Sequence, residues 1–246
     1  MEIIDFHSHL QPSFEARDAL LAKMAEVGIR QAIVVPGGVT SPVSLSQQMQ
    51  KPFPRNILIP NEAVRSLCDD GTNRLLPFYF ATPMGDAEEY ECNGMKYYGL
   101  KLGPAVHGVP LTDSRYRPFL QIALKLKHSV YLHCLQHPGF DVKAVVELAC
   151  RYPDLNFILG HAGIGNCDFA SVKAIQNHSN IYFETSGGFS SVISFANRTL
   201  GSQRIVFGSE YPLQAPELEI QKMRLVNIGP NRLNETALKL LGKLHD

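Results

Sequence analysis

The chain has 246 residues, longer than a usual single domain but ordinary for an α/β barrel, and its 23 basic side chains balance 23 acidic ones at 45% hydrophobic content. That balance excludes wholesale attraction to nucleic acid or a membrane surface and leaves small neutral or anionic molecules as substrates. No apolar stretch is long enough to span a bilayer, and the start, Met1-Glu2-Ile3-Ile4-Asp5, is too acidic and too short for a signal peptide, so the expectation is a cytoplasmic protein.

The first apolar run, Ile3 to His7, reads as a strand whose tip carries His7-Ser8-His9. Side chains on a strand alternate faces, so His7 and His9 project to the same side, close enough to share one metal ion. Helical periodicity follows over Phe14 to Val27, and a second strand over Gln31 to Pro36. Residues 37–60 break the rhythm: Gly37-Gly38, four prolines, several serines and Gln47-Gln48-Met49-Gln50 give little regular pattern. This insertion follows the second strand and reads equally as a lid contributing specificity or as a tolerated surface excursion.

Further strands are expected over Leu75 to Ala81, Tyr97 to Leu102, Val130 to Cys134, Asn156 to His161, Ile181 to Thr185 and Arg204 to Gly208, making eight with the first two. Helical stretches separate most of them: Arg117 to Lys127, Val142 to Arg151, Phe169 to Ile175 and Val192 to Leu200. Phe157-Ile158-Leu159 and Ile205-Val206-Phe207 are uniformly apolar, as parallel strands covered on both faces are. A last helix, Asn231 to Leu244, opens after Gly229-Pro230 with Asn231 as a cap. The pattern predicts one domain, 1–246, folded as a (β/α)8 TIM barrel with its chemistry at the C-terminal ends of the strands. The five cysteines, Cys68, Cys92, Cys134, Cys150 and Cys167, show no Cys-x-x-Cys spacing or disulfide framework and read as mostly buried, reduced thiols.

The expected tips carry metal-capable or charged groups: Lys101 after strand four, His133 after five, His161 after six and Glu210 after eight. His133 and His161 lie one βα unit apart and converge with His7 and His9 as a four-histidine cluster, which favours metal over isolated core histidines. Cys134 adjoins His133 but faces the other way by strand alternation, as a buried thiol would. His107 and His137 read as loop histidines near the pocket, and Arg115 and Arg117 as surface charges beside an Asp113 cap.

These residues together resemble the amidohydrolase superfamily, in its amidohydrolase-related ("amidohydrolase 2") branch of metal-dependent barrels. The resemblance spans nearly the whole chain and is carried by His7-Ser8-His9, Gly99-Leu100-Lys101, His133, Gly160-His161-Ala162-Gly163 and Phe207-Gly208-Ser209-Glu210-Tyr211-Pro212. It implies that His7, His9, His133 and His161 take the metal-site positions and that Glu210 is both ligand and proton acceptor. It also places Lys101 near a lysine that in some relatives is carboxylated and bridges two metals; a cation holding a substrate carboxylate is the other reading. Two departures stand out. Relatives carry Asp in the Gly-Ser-Asp-Tyr-Pro turn where this chain has Glu210, and often Asp where it has Glu184; the charge is kept while the extra methylene moves the carboxylate about 1.5 Å.

The implied chemistry is hydrolysis of an amide, lactone or ester bond in a small molecule by water activated on one divalent ion. Zinc is the favoured ion, two ions the minority reading, and manganese is compatible with the same donors. A lyase, either a non-oxidative decarboxylase or a hydratase acting on a small carboxylic acid, is the alternative. Several such decarboxylases carry Glu in place of the first His, so the intact His7-Ser8-His9 tilts the reading toward hydrolysis. A barrel that binds metal without turnover is a third reading, prompted by Glu184 and Glu210. The expected partner is a small-molecule substrate, with no nucleic acid and no membrane; a homo-oligomer is left open.

Overall fold

The computed structural model describes residues 2–165 and 167–242. Its strands are β1 Ile3–Leu10, β2 Ile29–Pro36, β3 Leu75–Pro77, β4 Tyr79–Phe80, β5 Gly99–Leu102, β6 Ser129–Leu132, β7 Phe157–Leu159, β8 Ile181–Glu184 and β9 Ile205–Val206. Every pairing is parallel and sequential, β1-β2-β3 in one ladder and β4 through β9 in the next. β3 and β4 are two parts of one strand position broken only at Phe78, whose N–H donates to the Val34 carbonyl at 2.9 Å. The ring closes where Phe6 N–H meets the Phe207 carbonyl at 2.7 Å, Glu210 N–H the His7 carbonyl at 2.9 Å and His9 N–H the Tyr211 carbonyl at 2.7 Å. The eight expected strands thus form a (β/α)8 barrel.

Alternation along the strands sorts the core into two shells. Ile4, Phe6, Ile33, Val35, Leu76, Phe78, Tyr131, Ile158, Tyr182 and Val206 fill the interior. Ala32, Val34, Leu100, Val130, Phe157, Phe183 and Ile205 pack in a second cluster with the helices. Each large apolar side chain buried this way contributes about 1.5–3 kcal/mol.

The helices Phe14–Val27 and Val142–Arg151 have their expected bounds, and Arg117–Leu126, Phe169–Ala174 and Ser190–Leu200 differ by one or two residues. The side chains of Ser13, Asp141 and Asp168 cap three of these, accepting from Ala16, Ala144 and Ser171 N–H. The last helix runs Pro230–Leu240 with proline in its first turn, so Gly229, not Asn231, is the cap; Lys243 and Leu244 of the expected span lie outside the described residues. Asn61–Cys68 and Pro216–Leu225 are helices that the pattern reading did not single out.

Residues 37–60 are more regular than expected. Ser41 accepts the Ser44 N–H and opens a helix at Pro42–Gln50. Val39, Leu45 and Ile57 pack against Ile59, Phe80 and Val106, while Arg55 N–H donates to the His107 carbonyl at 2.8 Å. The insertion therefore lies over the turn that follows β5. The cysteines need correction: all five are free thiols, but only Cys68 and Cys134 are buried. Cys92 and Cys150 fall on outward helix faces and Cys167 in the loop after β7, positions that apolar patterning does not constrain. Among the described residues no helix is long and apolar enough to cross a membrane.

Candidate metal centre

Three strands end sooner than their apolar runs suggest. β7 stops at Leu159, and His161 and Ala162 adopt φ of 56° and 53°; β9 stops at Val206, and Glu210 sits at φ 60°. β6 likewise stops at Leu132, leaving His133 just beyond it. Left-handed backbone is costly for residues with a Cβ and persists only where the surroundings enforce it. Here two buried carboxylates do so.

The first is Asp5, two residues before His7 on β1, ahead of an irregularity in the β1–β2 register between Asp5 and Ser8. Its Oδ1 accepts His7 N–H at 3.1 Å and Ser209 N–H at 2.8 Å, and its Oδ2 accepts the Ser209 hydroxyl. Ser209 Oγ in turn accepts Tyr211 N–H at 3.1 Å, which locks the turn that carries Glu210 onto β1. Burial pushes the Asp5 carboxyl up to about 7, against the pull of these donors.

The second is Glu184 at the end of β8. Its Oε2 accepts the Tyr131 hydroxyl at 2.6 Å, His161 N–H at 2.9 Å and the Ser186 hydroxyl at 2.9 Å, while its Oε1 accepts Ser186 N–H. The Tyr131 ring, held from below, stacks on His7 with centroids 4.2 Å apart and 17° between planes. Glycine is required twice around this hub: a Cβ on Gly208 would lie 2.2 Å from Glu184 Oε1, and one on Gly160 2.3 Å from the Tyr131 hydroxyl.

Between the two anchors the chemistry converges. Glu210 Oε2 lies 3.2 Å from His7 Nε2 and 3.0 Å from His161 Nδ1, and its Oε1 lies 3.2 Å from His9 Nε2. The His7–His9 and His7–His161 ring centroids are 4.7 and 5.2 Å apart. One ligand atom from each of His7, His161 and Glu210 falls within 4.8 Å of the others. Although His7 Nε2 and Glu210 Oε2 are close, neither atom has hydrogen-bond geometry to any partner among the described residues, where His7 Nδ1 is also unpaired. A fully buried imidazole with two unpaired nitrogens beside an unpaired carboxylate oxygen is an expensive arrangement unless another group completes it. Imidazole and carboxylate suit a divalent ion such as zinc, so the residues fit one.

Electrostatics agree. Burial drives His7 well below its ordinary pKa, and Lys101, His9 and His161 push the same way against Glu210. Glu210 goes well below the usual carboxylate range: burial would raise it, but the adjacent imidazoles of His161 and His7 and the contact with His9 outweigh that. Both groups are thus in the forms that ligate metal.

Lys101, 2% exposed on β5, sets its Nζ 4.2 Å from the Tyr131 ring centroid, and no carboxylate of the described residues pairs with it. Burial brings it down to about 7. His133 stands further back, its ring 5.9 Å from that of His161 and its Nε2 accepting Ala105 N–H at 3.0 Å. His107 is buried edge-on against Phe80 rather than facing the cluster. Asp113 caps Arg115 N–H and pairs with its guanidinium.

Sequence reasoning therefore located His7, His9, His161, Glu210 and Lys101 within one cluster and His133 at its margin, and it missed Asp5, Tyr131 and Ser186. Tyr131 had a readable signal, lying two residues before His133 on the same strand face.

A family described as amidohydrolase matches the chain over residues 4–230. No curated protein sequence matches it. Among solved structures, it is similar to a protein assigned as a 2-pyrone-4,6-dicarboxylic acid hydrolase from Acinetobacter baumannii, at 15% identity over 98% of this chain and 100% of that one, with a TM-score of 0.70. It is similar to a 2,6-dihydroxybenzoate decarboxylase from Rhizobium, at 17% identity over 98% and 99% with a TM-score of 0.69. A third is a 5-carboxyvanillate decarboxylase from Novosphingobium aromaticivorans with bound manganese, at 14% identity over 98% and 97% with a TM-score of 0.67. Likeness at such identities carries the barrel fold.

Proposed function

The chain belongs to the amidohydrolase family, and from that premise we propose that it is a metal-dependent hydrolase opening an amide, lactone or ester bond of a small molecule. The observation that carries this reading is the meeting of His7, His161 and Glu210 around unpaired, buried donor atoms. In this reading residues 1–246 act as one domain, and the imidazoles of His7, His9, His133 and His161 with the Glu210 carboxylate surround one divalent ion. Zinc suits those donors, and manganese, bound in one similar decarboxylase, is the other choice. Such an ion, when bound, polarises a carbonyl and lowers the pKa of water toward neutrality.

The chain's own residues supply the rest. Glu210, ionised and touching three imidazoles, takes the proton of the attacking water and returns it to the leaving amine or alkoxide. Tyr131 fixes the plane of His7 by stacking, so that ring cannot rotate away from the centre. Lys101, on the opposite side of the same tyrosine, presents its ammonium to a substrate oxyanion or carboxylate. Residues 37–60 cover the turn after β5 and so border the mouth through which substrate enters.

One observation supports a second reading, decarboxylation of a small carboxylic acid: a buried lysine that no carboxylate of the described residues pairs with is suited to receive a substrate carboxylate. A panel of lactones, amides, esters and aromatic carboxylic acids, offered to the protein and to Glu210→Gln, separates the two. We expect hydrolysis by the protein, a fall of about 10²–10⁴-fold in the variant and metal largely retained. Release of carbon dioxide from an aromatic acid without hydrolysis of any ester, lactone or amide would select the second reading. Unchanged turnover in Glu210→Gln would remove Glu210 from proton transfer.

A further inference from the structure

We infer that Phe189 is a specificity-determining residue, the wall of a cavity beside the proposed centre that takes an uncharged, planar apolar group of the substrate. The inference rests on the proposed hydrolase for what is turned over, not for what is bound. A cavity of about 360 Å³ lies among the loops that follow β6, β7 and β8, lined by Gln136, Ile164, Gly165, Cys167, Asp168 and Phe189. Gln136, Ile164 and Phe189 each stand three positions past a residue of the site, His133, His161 and Ser186 in turn. Three residues span at most about 10 Å, so these walls border the centre. Barrel enzymes make their substrate contacts with such loops, and the volume is that of a small-molecule subsite.

The chemistry of the lining selects the occupant. None of the six residues carries a positive charge, and the one carboxylate, Asp168, is spent on the protein. Its Oδ2 accepts Ile164 N–H at 2.8 Å and the Ser171 hydroxyl, and its Oδ1 accepts Ser171 N–H at 2.9 Å. An anion would face that carboxylate with no cation to offset it, and a cation would find both oxygens engaged. Phe189, 51% exposed, offers a ring face to a planar group, while Gln136 adds one amide for a neutral polar substituent. Lys101 lies on β5, outside this cavity, so a charged end and an apolar end of one substrate would be received at different strands.

An exposed ring discriminates only if its backbone is fixed, and contacts on three sides fix this one. Lys222 Nζ donates to the Gly188 carbonyl at 2.8 Å and lies 2.6 Å from Glu219 Oε2. Glu219, fully buried, accepts Gly187 N–H on its Oε1 at 3.3 Å. Beneath them Gly188 sits against Ala162, the residue after His161: a Cβ on Gly188 would lie 2.5 Å from that of Ala162. Beyond them the Phe189 carbonyl accepts Ile193 N–H at 3.1 Å, where the helix Ser190–Leu200 begins. The ion pair on Pro216–Leu225 therefore grips two successive backbone groups just ahead of Phe189, and Lys222 is a positioning residue for that ring.

The test is NMR of protein labelled at isoleucine δ-methyls and titrated with benzamide, a neutral planar probe, with the Ile164 methyl assigned by its loss in Ile164→Val. We expect that methyl to shift saturably, and affinity to fall about tenfold in Phe189→Ala, the size of one aromatic contact. Phe189→Tyr, which keeps the ring, should recover the affinity, and Phe14→Ala, which removes another exposed ring, should leave it unchanged. Benzoate, the same ring bearing a charge, should shift Ile164 more weakly. Lys222→Gln should weaken benzamide binding, and adding it to Phe189→Ala should weaken it no further, as a residue acting through that ring requires. In turnover, the ratio of kcat/KM for phenyl acetate over methyl acetate should fall about tenfold in Phe189→Ala. No saturable shift of Ile164, equal affinity in Phe189→Ala, or benzoate as effective as benzamide would overturn the inference; additive losses in the double variant would remove Lys222 from it. Binding is read without turnover, so failure of the hydrolase reading and failure of this one are distinguishable.

Discussion

Asp5 and Glu184 are two solutions to the same local problem. Each is a buried carboxylate on a strand, Asp5 within β1 and Glu184 at the end of β8, and each accepts the N–H of the residue two positions on, together with a serine hydroxyl. Asp5 stops there: its partners are backbone groups and Ser209, and its work is to weld the turn after β9 to β1. Glu184 has one more methylene and reaches across two neighbouring strands, to the Tyr131 hydroxyl on β6 and to His161 N–H after β7. The difference teaches that the shorter acid sets where a ligand-bearing turn lies, whereas the longer one also sets the orientation of the Tyr131 ring.

Removing the shorter anchor should have the larger effect on stability. Asp5→Ala leaves three buried donors without an acceptor, at about 1–3 kcal/mol for a buried group so orphaned. With about 2–4 °C of melting temperature per kcal/mol in a chain of this size, a drop on the order of 10 °C is expected by calorimetry. A loss within about 1 °C would show that the seam between β9 and β1 does not depend on Asp5.

Shortening the longer anchor should cost less stability and more order. Glu184→Asp keeps the charge and the two bonds to Ser186 but withdraws from Tyr131 and His161, an expected loss of about 1–2 kcal/mol in urea unfolding. The Tyr131 ring, no longer tethered, should gain freedom visible as faster ring flipping in NMR. If stability and ring dynamics matched those of the protein, the reach of the extra methylene would be irrelevant and the two carboxylates equivalent.

The contrast also explains what the amino-acid order could and could not convey. Eight strands were legible because both their faces are covered, which makes them short apolar runs, and the Phe14–Val27 and Val142–Arg151 helices because of their helical periodicity. The histidine cluster was legible because His7 and His9 share a face and His133 and His161 recur at later tips. Strand ends were not, since the left-handed backbone at His161 and Glu210 is imposed by acceptors that come from other strands. For the same reason Glu184 reads in isolation only as a Glu where relatives often carry Asp, while in the fold it accepts hydrogen bonds from Tyr131, His161 N–H and Ser186. The helix Pro42–Gln50 was hidden by the prolines and serines around it, although Ser41 and Pro42 together form a regular start.

The account stands or falls on the pair of unpaired nitrogens in His7 beside Glu210. Isothermal titration of chelator-treated protein with zinc measures it directly, alongside His7→Ala checked for retained fold by circular dichroism. We predict one ion bound per chain and loss of that binding in His7→Ala. No saturable binding by the protein, or equal affinity in His7→Ala, would contradict a metal centre built on this cluster.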